Sequence, residues 1–289
     1  MNIEISISIS DHIRNILMIK KNERALLYLL SHTKSLTKLK IVKLMFLISK
    51  ERNFYDFVPY HYGPFSFQMY QDMRHLENAG YLSQTDDEVH FINQVFPKPE
   101  SSIQMTIEQY LKNFGEMSDD DLIDYVYQTY PETTIFSKRK QLASYSRDEV
   151  GIINIGYEGK NIDSFLTLLL QYKVQTLIDV RKNSYSMKYG YSKNQLHSTL
   201  GKMGINFIHV PELGIKSDQR QNLTHSGYEE LFRTYAKSLG EKEEYLDVIK
   251  SRSQHEKVAL MCFEASASDC HRGVISDRFR SEGLVVVDV

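Results

Sequence analysis

From residue 151 onward, short unbroken apolar runs alternate with stretches of helical spacing. That alternation leaves the C-terminal half few folds to choose from. The runs cover residues 151–155, 176–180, 206–210, 258–263 and 284–289. Helical spacing fills the intervals at 162–170, 193–203, 228–249 and 271–280. Strands with no polar alternation are buried on both faces, and parallel strands need helical crossovers. Residues 150–289 are therefore predicted to be α/β, a mostly parallel sheet with helices on both faces.

The N-terminal half has a different period. Ala25, Leu26, Leu29 and Leu30 form one helical stripe. Leu39, Val42, Leu44, Phe46 and Leu47 form a second that Thr37 caps. Met69, Met73, Leu76 and Ala79 form a third, entered through Gly63-Pro64-Phe65-Ser66 and closed by Gly80. Tyr81-Leu82 and Val89–Ile92, with Thr85-Asp86-Asp87 between them, read as a hairpin. A further helical stretch spans 101–130 and stops at Pro131. The predicted organisation is a mainly α, winged-helix-like domain with a helical extension over 1–136, a charged linker over 137–149, and the α/β domain.

The chain has 289 residues, enough for two cores, and a formal charge of -2. No global basic field draws it to nucleic acid, so such a contact must come from a local patch. Two cysteines eight positions apart, Cys262 and Cys270, are no secreted disulfide framework. The opening MNIEISISIS lacks the basic start and apolar core of a signal peptide, and no apolar stretch is long enough for a bilayer. The expectation is a cytoplasmic protein with no membrane partner.

Ligands of open α/β sheets bind beyond the carboxyl ends of the strands, and the unusual polar residues fall there. The first strand runs into Gly156-Tyr157-Glu158-Gly159, which either makes a tight turn or cradles a phosphate. The second ends in Asp179-Val180-Arg181, followed by Ser186; the pair either closes on itself or holds an anion beside a base. Pro211-Glu212 follows the third strand, as a solvated turn or a contributor to the site. Glu264 directly follows the fourth strand and is a candidate catalytic carboxylate. Cys270-His271-Arg272 opens the last long helix, where dipole and cations favour a thiolate. Cys270 is then a nucleophile, part of an anion site with His271 and Arg272, or a small buried residue. Zinc on Cys262, Cys270 and His271 does not match the spacing of the usual knuckles, so no metal or cofactor is expected. Cys262 reads as core.

In the N-terminal half Lys34, Lys38, Lys40 and Lys43 surround the second helix, and Arg74 and His75 lie on the third. Lys38, Lys43, Arg74 and His75 are the nucleic-acid candidates, with a solvated helix face as the alternative. The aromatic run from Tyr60 to Ser66 is a packed turn or a base-stacking surface.

The ordered motifs Gly156-Tyr157-Glu158-Gly159, Asp179-Val180-Arg181, Pro211-Glu212-Leu213-Gly214, Cys262-x-Glu264 and Cys270-His271-Arg272 together resemble the family catalogued as domain of unknown function 488. The resemblance runs over about 151–289. It implies a site made of Tyr157, Glu158, Asp179, Arg181, Ser186, Glu212, Glu264, Cys270, His271 and Arg272, and implies no reaction. The first half resembles winged-helix modules of small bacterial regulators and the Panacea antitoxin-type domain, through Lys43–Leu47, Tyr60–Ser66 and Leu76–Leu82. That likeness implies a nucleic-acid or protein partner.

The combined expectation is an enzyme acting on DNA or a nucleotide, with hydrolysis of the N-glycosidic bond of a damaged or modified base as its reaction, in repair or phage defence. Glu264 or Asp179 would activate water, Arg181 and Arg272 hold phosphate, and Tyr157 stack on a flipped base. Two other expectations stand beside it: a non-enzymatic regulator whose C-terminal site senses a nucleotide-like ligand, and thiol chemistry at Cys270.

Overall fold

The structure is a computed structural model of the 289-residue chain, in which residues 19–92, 95–220 and 223–289 are described. The opening MNIEISISIS, read above for a leader, lies outside the described residues. The chain divides into two compact units between Ser144 and Tyr145. That boundary falls within the 137–149 stretch, which holds neither helix nor strand. No helix among the described residues is long and apolar enough to cross a membrane.

The C-terminal unit is α/β. Strands β6 (Gly151–Gly156), β7 (Thr176–Asp179), β8 (Asn206–His209), β9 (Lys257–Cys262) and β10 (Val286–Asp288) form one sheet in the order β10-β6-β9-β7-β8, every pairing parallel. Successive strand side chains point to opposite faces, and every residue from Ile152 to Gly156 and from Val258 to Cys262 is buried. Both faces are therefore covered. On one face Ile152, Ile178, Val258 and Leu260 share a core with Tyr235, Leu246, Ile249, Ile275 and Phe279. These come from α8 (His225–Ser238), α9 (Glu243–Ser253) and α10 (His271–Ser281). Helices α6 (Ile162–Gln171) and α7 (Lys193–Lys202) bring buried Phe165, Leu169, Leu196 and Leu200 to the sheet from outside that core. Helical spacing over 228–249 suggested one helix. The chain instead breaks into a 3-10 turn at Leu239–Lys242, where Gly240 lowers helix propensity.

The N-terminal unit is mainly helical. Its elements run α1 (Lys21–Thr33), β1 (Ser35–Thr37), α2 (Lys38–Arg52), β2 (Val58–Tyr60), β3 (Gly63–Phe65), α3 (Phe67–Asn78), β4 (Leu82–Gln84), β5 (Glu88–Phe91), α4 (Ser101–Phe114) and α5 (Asp119–Thr129). Thr37 caps α2 by accepting from Lys40 N at 3.1 Å, and Ser66 caps α3 by accepting from Met69 N at 3.1 Å. The β4–β5 hairpin gains a third strand when β1 pairs with β5. Residues 101–130 form two helices rather than one: the first ends at Gly115, and Ser118 restarts the chain by accepting from Asp121 N. The aromatic run at 60–66 falls in a hairpin that starts at Val58, β2 against β3, in which Gly63 adopts φ +82°.

The basic residues of this unit separate into different environments. Lys43 is 2% exposed and caps the carbonyls of Tyr62 and Pro64. It is thus a core residue, which removes it from the nucleic-acid candidates. His75 is tied at 2.7 Å to fully buried Glu23. Lys40 donates to Met117 O and Lys38 to Thr85 O. Arg74 is exposed, with a hydrogen bond to Gln71.

Candidate functional site at the carboxyl ends of the parallel sheet

The loops that follow β6, β7, β8 and β9 meet around a cavity of about 220 Å3, lined by Tyr157, Arg181, Lys182, Asn183, Ile215, Arg220, Cys262 and Phe263. Gly156 and Gly214 let those loops close. A Cβ on Gly156 would collide with the Glu264 carbonyl, and one on Gly214 with the backbone of Lys182. Of the two readings of the Gly156–Gly159 turn, close backbone packing is the one Gly156 serves. Glu158 reinforces it by accepting from Ala265 N at 3.0 Å while its own N–H donates to Phe263 O.

Asp179 and Arg181 form a closed pair at the floor of the site. Arg181 Nε and Nη2 donate to the two Asp179 oxygens at 2.8 and 2.7 Å. Nη2 also donates to Tyr191 O, and Nη1 to the Tyr157 hydroxyl at 2.9 Å. Asp179 is fully buried and Arg181 nearly so. A carboxylate spent in this way is not a general base. The expectation of a catalytic Asp179 and a phosphate-holding Arg181 is therefore corrected to a structural pair that fixes Tyr157. The Tyr157 ring stacks on Tyr191 at a centroid distance of 4.2 Å, so this face is not open to a base. Phe263, missed in the sequence because it reads as one more strand residue, is 44% exposed on the cavity wall and meets Tyr157 edge-on.

Arg272 also differs from expectation. It is 1% exposed and donates to the backbone carbonyls of Glu264 and Ala265 at 2.6 and 2.9 Å. It clamps the loop that carries Glu264 and is out of reach of a ligand. Ser186 accepts from Lys188 N and its backbone bonds to Ser192, closing its own loop. Glu212 is exposed in the 3-10 turn Pro211–Leu213 and does not line the cavity.

The residues that do converge are Glu264, Cys262, Cys270, His271 and one that sequence reading passed over, Arg220. Arg220 lies on the 3-10 turn Ser217–Arg220. It donates to Glu264 Oε1 at 2.7 Å and to His271 Nδ1 at 2.7 Å. No motif surrounds it, and only the long α7–α8 excursion of the chain brings it to the rim. Burial raises the pKa of Glu264, but the neighbouring Cys270 thiol, the backbone N–H and the Arg220 charge outweigh it, leaving the pKa lowered. Its Oε2 is buried without a hydrogen bond.

His271 is fully buried. Its Nε2 lies 2.9 Å from Val180 O, which can only accept, so Nε2 carries the proton and Nδ1 presents its lone pair. That nitrogen faces both cysteine sulfurs, Cys270 Sγ at 3.7 Å and Cys262 Sγ at 3.9 Å. A hydrogen bond from Cys270 brings the Cys262 thiol down to about 6 against the effect of burial. Burial and the neighbouring Cys262 push Cys270 well up. Of the two thiols, Cys262 lines the cavity and Cys270 does not. The three ligand atoms of Cys262, Cys270 and His271 lie within 4.8 Å of one another, a grouping able to hold a metal ion.

No curated protein and no solved structure matches the chain. One family model does, over residues 161–279. That span takes in β7, Arg220, β9 and most of α10, and leaves Tyr157 and Glu158 just outside it. The C-terminal unit thus matches, over residues 161–279, the family described as Domain of unknown function DUF488.

Proposed function

We propose that the protein is an enzyme acting on a nucleotide or nucleic acid, with the substrate entering the cavity at the carboxyl ends of the parallel sheet. The observation that carries this reading is the cavity wall itself. Lys182 and Arg220, the latter shared with Glu264, supply positive charge, Asn183 an amide and Phe263 an exposed aromatic face. A phosphate suits the two cations, and a planar ring suits Phe263. At about 220 Å3 the cavity is smaller than the ~300–1,000 Å3 usual for whole drug-sized ligands. It suits one base, or one sugar-phosphate end of a longer substrate.

Within this class the proposed reaction is hydrolysis of the N-glycosidic bond of a damaged or modified base. Glu264 is the group proposed to take the proton of the attacking water: it lies behind the cavity lining, and Arg220, which lines the cavity, holds its Oε1 at 2.7 Å. The N-terminal unit is proposed to be a winged helix, on three helices followed by the β4–β5 hairpin, with the small β2–β3 hairpin inserted between the second and third helices. Lys38 and Arg74 are its proposed contacts to nucleic acid, by their positions on the second and third helices.

The test is to incubate the full chain with oligonucleotides carrying alkylated, deaminated or hydroxymethylated bases and to measure free base by mass spectrometry. Release is expected from the wild type, with a loss of at least about 100-fold in Glu264→Gln, the range of a removed acid–base group. No release from any substrate, or equal release by Glu264→Gln, contradicts the proposal.

A further inference from the structure

Cys262 ends β9 and Cys270 and His271 begin α10, so the chain between them is a loop and not a zinc knuckle. The fold nonetheless brings both sulfurs and one imidazole nitrogen together, all three residues buried. We infer that Cys262, Cys270 and His271 bind a thiophilic divalent metal ion, of which zinc(II) suits the donor set.

The distances agree with such an ion. Zinc bonds of about 2.3 Å to sulfur and 2.0–2.1 Å to nitrogen, spread tetrahedrally, set sulfur–nitrogen separations of about 3.6 Å. The separations here are 3.7 and 3.9 Å. The imidazole is already turned for the task. Its Nε2–H is committed to Val180 O, the backbone-carbonyl partner that fixes the ring of a metal-bound histidine, and Nδ1 points its lone pair at the sulfurs. The loop carrying the ligands is also held in place. Arg272 grips its Glu264 and Ala265 carbonyls, and Glu158 accepts from Ala265 N.

Among the described residues Arg220 is the competitor, since it donates to the same Nδ1. It is also bound to Glu264, its side chain is 22% exposed, and its Nε is unpartnered. Turning from Nδ1 costs it one hydrogen bond and leaves its ion pair intact.

Three protein ligands leave one position of a tetrahedral ion open, the arrangement of catalytic rather than structural zinc. Cys262 and Arg220 both line the cavity, which places the ion at its inner end. When bound there, the ion would supply Lewis-acid activation of a water, and Glu264, held by the same Arg220 that reaches His271 Nδ1, is the carboxylate that would take the proton. That role rests on the hydrolytic reading above, whereas the presence of the ion does not.

The experiment uses the full chain, reduced, stripped with a chelator and titrated with zinc(II) and cobalt(II) without substrate. One equivalent is expected. Cobalt should show thiolate-to-metal charge-transfer bands and tetrahedral d–d bands, and zinc should shield both cysteines from alkylation. Cys270→Ser and His271→Gln should each weaken binding by more than the ~10–100-fold of an outer-shell change. Should either variant fail to fold, the wild type alone decides. A folded, stripped wild type that gives no charge-transfer band, and whose thiols alkylate equally fast with and without zinc, overturns the inference. Metal binding without base release leaves the metal site standing and sinks the glycosidic reading. Base release that survives chelation sinks the proposed role of the metal-bound water.

Discussion

Arg181 grips Asp179 with two parallel hydrogen bonds of 2.8 and 2.7 Å, two residues apart at the end of a buried strand. Removing one partner of such a pair leaves the other charge buried and alone. Asp179→Asn is therefore expected to cost about 3–5 kcal/mol of stability, measured by urea denaturation of the full chain. A variant as stable as the wild type but catalytically dead would return Asp179 to the role of base.

Arg272 is expected to act on the loop and not on the ligand. Arg272→Met leaves the carbonyls of Glu264 and Ala265 without their guanidinium donor, at about 1–3 kcal/mol for each buried group left unpaired. Hydrogen exchange over residues 264–270 should accelerate. Unchanged exchange there, with ligand affinity lost, would mean that the side chain reaches the substrate after all.

Lys43 makes stability depend on pH. Burial lowers its pKa from 10.5 to about 7. Below pH 7 the amine is charged in both states and its desolvation penalty, roughly 5 kcal/mol at most, is complete. Between 7 and 10.5 the unfolded chain holds a proton that the native state lacks, so stability rises with pH through this window. Lys43→Met should remove a slope of about 1.4 kcal/mol per pH unit between pH 7 and 9, read as the difference between wild-type and variant urea midpoints. Parallel profiles for the two proteins would show that the amine is not desolvated.

How much of this was visible in the sequence depended on whether a feature is local. Short apolar runs bounded by glycine and helical stretches specify strands in place, and β6 and β9 lie within a residue of the expected runs. Thr37 and Ser66 are local caps and read directly from the chain. The site was legible as a set of strand-end residues but not as a set of partners. Arg181 and Arg272 look alike as candidate anion binders. One is closed by a carboxylate two positions away, the other by backbone that only the folded loop presents. Arg220 had no local signal, because its importance comes from Glu264 and His271, more than forty residues later. Cys262 read as core for a sound reason, its strand being apolar, yet the last residue of a buried strand is also the first to reach the rim.

Titration calorimetry of a nucleoside 5′-monophosphate against the full chain tests the central claim most directly, since that claim is recognition of an anionic, ring-bearing ligand in the rim cavity. Arg220→Ala, which removes one charge-assisted contact of about 1.5–3 kcal/mol, should weaken binding by roughly 10–100-fold, while Glu212→Ala, outside the cavity, should bind as the wild type does. No heat of binding for the wild type, or the same affinity for wild type and Arg220→Ala, would contradict the account.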